Sequence, residues 1–158
     1  MARIEKSIDV NVPLETVYNQ WTQFEEFPRF MEGVREVRQI DDRRLHWRAE
    51  VAGKEKEWDS EITEQVPDDR IAWRSPRGAP NAGVVTFHRL SPDSTRIMLQ
   101  LEYEPESTVE TVGDWLGVVS GRVEGDLERF KEFIESRGRE TGAWRGKIDR
   151  PPTGRSGR

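Results

Sequence analysis

The two histidines, His46 and His88, are the first candidates for chemistry, because histidine is the commonest metal ligand and general base. Alternation with Leu45 and Trp47 places His46 on the outward face of a strand. Its nearest acid of the same parity along that strand is Glu50, about 13 Å away at the rise of a β-strand, too far to share an ion. The sequence therefore predicts no metal site and two surface histidines.

Signatures of nucleophilic catalysis and of phosphate binding are also missing. The sequence contains no G-x-S-x-G motif, and Ser120 falls inside a helical pattern without a neighbouring base. "GAPNAG" at 78–83 has the glycine spacing of a phosphate loop, but Val84 follows where lysine is needed. Alternation sends nearly all carboxylates to solvent, so no catalytic acid pair is identified. Catalytic residues stay unknown, and no cofactor is predicted.

Tryptophan is the residue type that the sequence supplies instead, with six in 158 residues. Aromatic walls with few polar groups are typical of sites for flat or lipidic ligands. The predicted inner faces of strands and helices hold five of them: Trp21, Trp47, Trp58, Trp73 and Trp115. For any single one of them, packing in the core is the better interpretation. A buried indole also needs an acceptor for its N–H, and Ser60 is a candidate.

The composition favours a single cytoplasmic domain, with 34% hydrophobic and 35% charged residues. The chain has no cysteine, no apolar run of the roughly 18 residues that a membrane helix needs, and no signal-peptide core in "MARIEKSIDV". The net charge of −5 divides into +4 from Arg139 onward and −9 before it, which disfavours nucleic-acid binding. Residues 149–158, "DRPPTGRSGR", are expected to form a disordered basic tail, with an electrostatic docking arm as the alternative.

The elements that must position these residues begin with a strand and two short helices. "RIEKSIDVNV" alternates as a half-buried strand does, although Lys6 interrupts its apolar face. Pro13 suits the first turn of a helix. The residues after it form one apolar stripe at helical spacing: Leu14, Val17, Trp21 and Phe24. Pro28 then ends regular helix, so "FEEFPRFMEG" at 24–33 is predicted to contain a second helical turn or a loop.

Six further strands are predicted, in "VREVRQID", "RRLHWRAEV", "KEWDSEITEQV", "RIAWRS", "GVVTFHRL" and "TRIMLQLEYEP". The turn signals between them fit antiparallel connections. Alternation places Trp58 and Ser60 on the apolar face of their strand, and Gln65 with the acids on the other face. Phe87, Leu99 and Tyr103 belong to the apolar faces of the last two strands.

A long helix completes the order. Ser107 and Glu110 form a capping box, and the helix is predicted to end near Arg137, before Gly138. Its apolar stripe is formed by Val112, Leu116, Val119, Val123, Leu127, Phe130 and Ile134. A sheet with one apolar face and a helix with one apolar stripe must bury each other.

Four glycines recur at every fourth position of this helix: Gly113, Gly117, Gly121 and Gly125. Together they cost the helix roughly 3–4 kcal/mol relative to alanine. Three interpretations stay open. The glycines form a close-packed surface for a second copy of the chain, they let the helix bend, or the first half of the helix is merely irregular.

Three segments of the chain resemble the START-like helix-grip superfamily, and in particular its polyketide cyclase/dehydrase and lipid-transport branch, which includes coenzyme Q-binding proteins. These segments are "VPLETVYNQWTQFEEFPRFMEGVREV", "GVVTFHRLSPDSTRIMLQLEYEP" and "GDLERFKEFIESRG". The resemblance covers about residues 1–148 and implies one α+β domain. In it, a curved antiparallel sheet of about seven strands wraps around the C-terminal helix, with two short helices after the first strand.

The resemblance also implies an apolar cavity between sheet and helix, whose mouth would be closed by the aromatic-proline segment "FPRFMEGV". The alternative is that the phenylalanines of that segment only plug the core. The residues expected to line the cavity are Trp21, Phe27, Phe30, Trp47, Trp58, Ser60, Trp73, Phe87, Leu99, Tyr103, Trp115 and Val119.

Three functions are compatible with such a cavity. The first is binding of an apolar small molecule such as a lipid, quinone or polyketide, and the second is a polyketide cyclase or dehydrase. The third is a protein-interaction module. An enzyme needs at least one Arg, Tyr, His or acid that points into the cavity, and Tyr103 is the only one that alternation clearly supplies. The sequence therefore favours binding.

Overall fold

The computed structural model describes residues 2–51, 53–77, 81–103 and 109–148, and the side chains of these residues except 2, 51, 76, 77, 103 and 109–118. Seven strands form one antiparallel sheet in the order β1-β7-β6-β5-β4-β3-β2. Their bounds are β1 Ala2–Val10, β2 Val34–Gln39, β3 Arg44–Val51, β4 Lys54–Val66, β5 Arg70–Arg77, β6 Asn81–Ser91 and β7 Ser94–Tyr103. The predicted helix-grip architecture is confirmed.

Two short helical segments follow β1, as predicted, but the break between them differs. Helix α1, Leu14–Trp21, ends where Thr22 Oγ1 donates to the Asn19 carbonyl at 2.6 Å. A 3₁₀ helix, Phe24–Arg29, then begins and runs through Pro28. The prediction that Phe24 belongs to the first helix and that Pro28 ends regular helix is therefore wrong. A six-residue 3₁₀ helix has few internal hydrogen bonds, so the missing N–H of proline costs it little.

Strand β4 departs from strict alternation near its end. The pairing of β4 with β5 shifts between Ile62 and Glu64, which inserts a β-bulge and reverses the facing of the residues after it. Gln65, which alternation alone places on the wet face, is 1% exposed, and its Nε2 donates to the Tyr18 hydroxyl at 3.0 Å. The bulge therefore turns a polar side chain into the core.

Helix α2, Val109–Arg137, lies across the apolar face of the sheet. Its last half buries the predicted stripe of Val123, Leu127, Phe130 and Ile134, while the side chains of Val112 and Leu116 lie outside the described residues. Gly138 ends the helix with φ +75°, and its N–H bonds the Ile134 carbonyl at 2.9 Å. No helix in the described part of the chain is long and apolar enough to cross a membrane.

Residues 139–148, which we call the C-terminal strap, pack back across α1. Arg145 donates to Asn19 Oδ1 and to Asp68 Oδ2, both at 2.6 Å, and its guanidinium lies over the Tyr18 ring. The strap ends at Ile148, which is buried and forms an isolated antiparallel bridge with Gln65. The expected disordered tail, 149–158, lies outside the described residues.

Candidate functional site

Four of the expected cavity residues lie in a buried aromatic core between α1, the 3₁₀ helix, the sheet and α2. Trp21, Phe27, Phe30 and Phe87 are each less than 5% exposed. Phe130 of α2 lies at the centre of this group, with its ring 5.0 Å from Trp21 and 5.1 Å from Phe30. Phe27 and Phe30 therefore fill the core beneath the "FPRFMEGV" segment, as in the plug alternative.

Trp47 and Trp58 extend this aromatic surface along the sheet. They are register partners on β3 and β4, and their rings stack at 5.7 Å with an interplanar angle of 8°. The Trp47 indole N–H donates to Ser60 Oγ at 2.9 Å, the partner that the sequence suggested. Trp47 also contacts the buried core through Phe27, at 5.7 Å. Both indoles are only partly buried, so their outer surfaces are not covered by the described residues.

Trp73 packs against a glycine of the neighbouring strand, which leaves room for the indole because it has no side chain. Trp73 of β5 pairs with Gly83 of β6, and a Cβ on Gly83 would lie only 2.5 Å from Trp73 Cζ2. The indole therefore lies flat against the glycine backbone on the inner face. We call Trp47, Trp58 and Trp73 the aromatic wall. It is held by a hydrogen bond, a stacked pair and a glycine, and it remains partly exposed.

The other expected cavity residues are described to different extents. Leu99 of β7 and Val119 of α2 are partly buried and pack against the core. The side chains of Tyr103 and Trp115 lie outside the described residues, so their orientation stays a prediction.

Lys6 is not among the predicted cavity residues, although its parity with Ile4 and Ile8 is visible in the sequence. Lys6 is the register partner of Leu99, so it stands on the inner face of the sheet. Its side chain is 30% exposed, whereas those of Arg3 and Glu5 beside it are 57% and 60% exposed. Its Nζ lies 3.6 Å from Glu124 Oε1 of α2.

Tyr18 of α1 is a second polar group that the sequence pattern does not single out, and it is 0% exposed. Burial raises the pKa of its phenol above the ordinary value of 10.0, although the hydrogen bond with Gln65 lowers it. Tyr18 also packs edge-on against Phe87 at 5.4 Å. Because the Arg145 guanidinium covers its ring, this tyrosine lies under the strap and contributes to the packing of α1.

Helix α2 holds the end of the "FEEFPRFMEG" segment through three charged side chains. Arg122 donates to the carbonyls of Glu32 and Glu50, at 3.0 and 3.1 Å. Arg129 donates to the Phe30 carbonyl at 3.0 Å, and Asp126 Oδ1 accepts from the Glu32 N–H at 2.9 Å. These contacts fix the segment over the end of the aromatic core.

Asp126 is the most perturbed acid of this group. Burial raises its pKa to about 6 from the ordinary 3.8. The hydrogen bonds from Arg129 and from the Glu32 N–H act in the opposite direction and lower it. Asp126 is therefore partly protonated in mildly acidic solution while it holds the segment.

His46 lies on the outward face, as predicted, but the argument about its acidic neighbours was wrong. Its Nδ1 is 2.6 Å from Asp59 Oδ1 across the strand pair, and its Nε2 is 3.7 Å from Glu57. These acids lie on the adjacent strand, about 4.8 Å from β3, and are closer than any acid of the same parity along β3. Among the described residues, no group of three or more His, Asp or Glu side chains is arranged to hold a metal ion.

A groove of about 500 Å³ lies mainly on the outer face of the sheet. Its lining includes Arg43, Glu61, Arg74 and Glu102 around a floor that contains Ala72. Such a charged lining does not suit an apolar ligand. Trp73 and Gly83 also line the groove, so it borders the aromatic wall at Trp73, while its charged side chains distinguish it from the apolar surface of the wall.

Known proteins resemble this chain in sequence and in fold. A family model described as "Polyketide cyclase / dehydrase and lipid transport" matches residues 10–132. An uncharacterised 17.2 kDa protein of Streptomyces lincolnensis is 56% identical over 149 residues, which cover 94% of this chain and 99% of the relative.

Solved structures show the same fold at lower identity. A START superfamily protein from Mycobacterium smegmatis is 17% identical, with a TM-score of 0.71 over 84% of this chain and 98% of that one. An aromatase/cyclase from a Streptomyces species is 16% identical, with a TM-score of 0.74 over 90% and 99%. At these identities the likeness concerns the fold alone. The predicted family is confirmed by the family model, which matches residues 10–132.

Proposed function

We propose that this chain, which belongs to the polyketide cyclase/dehydrase and lipid transport family, binds an apolar small molecule with aromatic rings between its sheet and α2. The description of the family names polyketide cyclases and lipid transport, and lipids are apolar molecules. The aromatic wall supplies a surface of that chemistry in this chain. A lipid, a quinone and a polyketide are the ligand types that the proposal includes.

The observation that carries the proposal is the stacked pair of Trp47 and Trp58. Two parallel indoles at 5.7 Å present a flat surface, and the bond to Ser60 and the contact with Phe27 hold it in place. These two stay partly exposed on the inner face, so they offer contact area to a flat ligand.

Binding is favoured over catalysis by the side chains on this face. A cyclase or dehydrase needs proton donors and acceptors placed at the reacting atoms. Beside the wall, the Ser60 hydroxyl is already engaged by the Trp47 indole, and the charged side chains that strand register adds to the inner face, Lys6 and Lys56, are two cations and not a matched acid and base. The alternative of a cyclase or dehydrase therefore depends on the unassigned Tyr103 side chain, and no observation favours a protein-interaction module.

Titration with pyrenebutanol, a neutral four-ring ligand, tests the proposal through tryptophan emission. We expect saturable quenching in wild type at micromolar ligand. In Trp58→Ala, loss of the stacked pair should weaken binding about tenfold. Trp58 does not belong to the packed core, so this variant should melt close to wild type.

Trp144 offers a matched control in the C-terminal strap. Its side chain packs against the core on the α1 side, and its backbone N–H donates to Thr22 Oγ1 at 3.1 Å. Trp144→Ala should therefore lower the melting temperature without changing the affinity for pyrenebutanol. Equal affinities for wild type and Trp58→Ala, or no binding to either, would contradict the proposal.

A further inference from the structure

A cation stands on the apolar face of the sheet. Lys6 follows Ile4 and precedes Ile8 on the inner face of β1, and its register partner is Leu99. Ile4 is 5% exposed, and Leu99 is partly buried against the core. An ammonium group among such neighbours loses much of its hydration, and this loss costs free energy unless polar partners replace the water.

The ion pair that Lys6 forms with Glu124 is a weak one. Its Nζ lies 3.6 Å from Glu124 Oε1, beyond the 2.7–2.9 Å of a charge-assisted hydrogen bond. The Glu124 side chain is itself 62% exposed, so water competes for it. Among the described residues, Lys6 has no other ion pair and no hydrogen bond, although an ammonium carries three N–H donors.

Lys131, which also lies between α2 and β1, has the hydrogen bonds expected of a structural lysine and serves as a comparison for Lys6. Its Nζ donates to Glu135 Oε2 at 2.8 Å and to the Asp9 carbonyl at 2.9 Å. The bond to the Asp9 carbonyl ties α2 to the edge strand β1, and the bond to Glu135 lies within the helix. Lys6 makes no bond of this kind, so a purely structural role does not account for its inward position.

The geometry points to Lys6 as the group that receives the acidic end of the ligand, an apolar molecule with aromatic rings and one carboxylate, phenolate or enolate oxygen. This inference rests on the proposed function, since it assigns the polar end of the same ligand. Trp73 on β5 lies three strand spacings from β1, about 14 Å along the sheet. A ligand that stacks on the aromatic wall and reaches Lys6 is therefore elongated.

Two ligands that differ only in their polar end test the assignment, pyrenebutanoate and pyrenebutanol at pH 8. Wild type should bind the carboxylate more tightly than the alcohol. Lys6→Met should weaken the binding of pyrenebutanoate about tenfold to a hundredfold, which is the usual contribution of a hydrogen bond to a charged group. The affinity for pyrenebutanol should change by no more than about twofold. Lys6→Arg keeps the charge and should retain most of the preference.

Arg3→Met is the matched control, because it removes one positive charge from the same strand on the opposite, outward face. It should change neither affinity, and circular-dichroism melts of all variants establish that they are folded. An unchanged ratio of the two affinities in Lys6→Met would overturn the assignment of Lys6 alone. An equal loss in Arg3→Met would also overturn it, because a long-range charge effect would then explain the preference. If neither ligand binds wild type, the proposed function itself fails, and the assignment fails with it.

Discussion

Replacing Gly83 by alanine perturbs the aromatic wall with a single methyl group. A Cβ at this position would lie 2.5 and 2.9 Å from Trp73 Cζ2 and Cη2, and 2.7 Å from the Gln100 carbonyl oxygen. Real Cβ atoms essentially never approach other heavy atoms within 3.0 Å. The carbonyl belongs to a paired strand and cannot retreat easily, so the Trp73 indole must move.

The size of the effect follows from two opposing contributions. Overpacking of a well-filled site costs typically about 1–3 kcal/mol. Alanine also restricts the unfolded chain, which returns about 0.4–1 kcal/mol. We therefore expect Gly83→Ala to lower the free energy of unfolding by about 1–2 kcal/mol. The displaced indole should also weaken pyrenebutanol binding.

Urea melts of Gly83→Ala and Gly121→Ala provide a controlled assay. Gly121 lies in α2, and a Cβ there would meet no heavy atom within 4 Å. The helix should gain up to about 1 kcal/mol from alanine at this position. If Gly83→Ala proves as stable as wild type and binds pyrenebutanol normally, Trp73 is not held against Gly83 as described.

Three other predictions concern the elements around the wall. Phe130→Ala should cost about 3–5 kcal/mol in urea melts because this ring is 0% exposed. Phe133 lies at the edge of the same buried stripe, only partly buried between Arg29 and Arg137, so Phe133→Ala should cost less. Burial raises the pKa of Asp126 in the folded protein, so this group stabilises the fold fully below pH 3.8, and the stabilisation is lost as the pH rises through about 6. The free energy of unfolding of wild type, relative to that of Asp126→Asn, should therefore rise by about 2 kcal/mol when the pH falls from 7 to 4. A chain that ends at Gly138 should lose at least about 2 kcal/mol with the strap and buried Ile148, while a chain that ends at Ile148 should melt like wild type.

Much of the fold could be predicted because each element carries its own periodicity. Leu45, Trp47 and Ala49 alternate cleanly, and β3 has the predicted facing. The stripe that ends at Phe130 and Ile134 likewise defined the buried side of α2. Gln65 could not be placed this way, because a β-bulge leaves no local mark in the spacing of apolar residues.

The contacts that were missed join residues far apart in the sequence. His46 meets Asp59 only through the β3–β4 register, and Arg145 reaches Asn19 across 126 positions of chain. The contact of Asp126 with the Glu32 N–H is of the same kind. Composition and periodicity report what one segment prefers and do not specify which segments meet. Lys6 is different, since its inward parity was visible and only its significance was not recognised.

The most direct test of ligand binding between sheet and helix is a two-dimensional NMR spectrum of the indole N–H groups during titration with pyrenebutanol. Single Trp→Phe variants assign the signals. We predict saturable shifts of the Trp47, Trp58 and Trp73 signals at a common affinity, with the Trp144 signal unmoved in the strap. A titration that moves the Trp144 signal as much as the others, or that moves none of the three, would contradict the account.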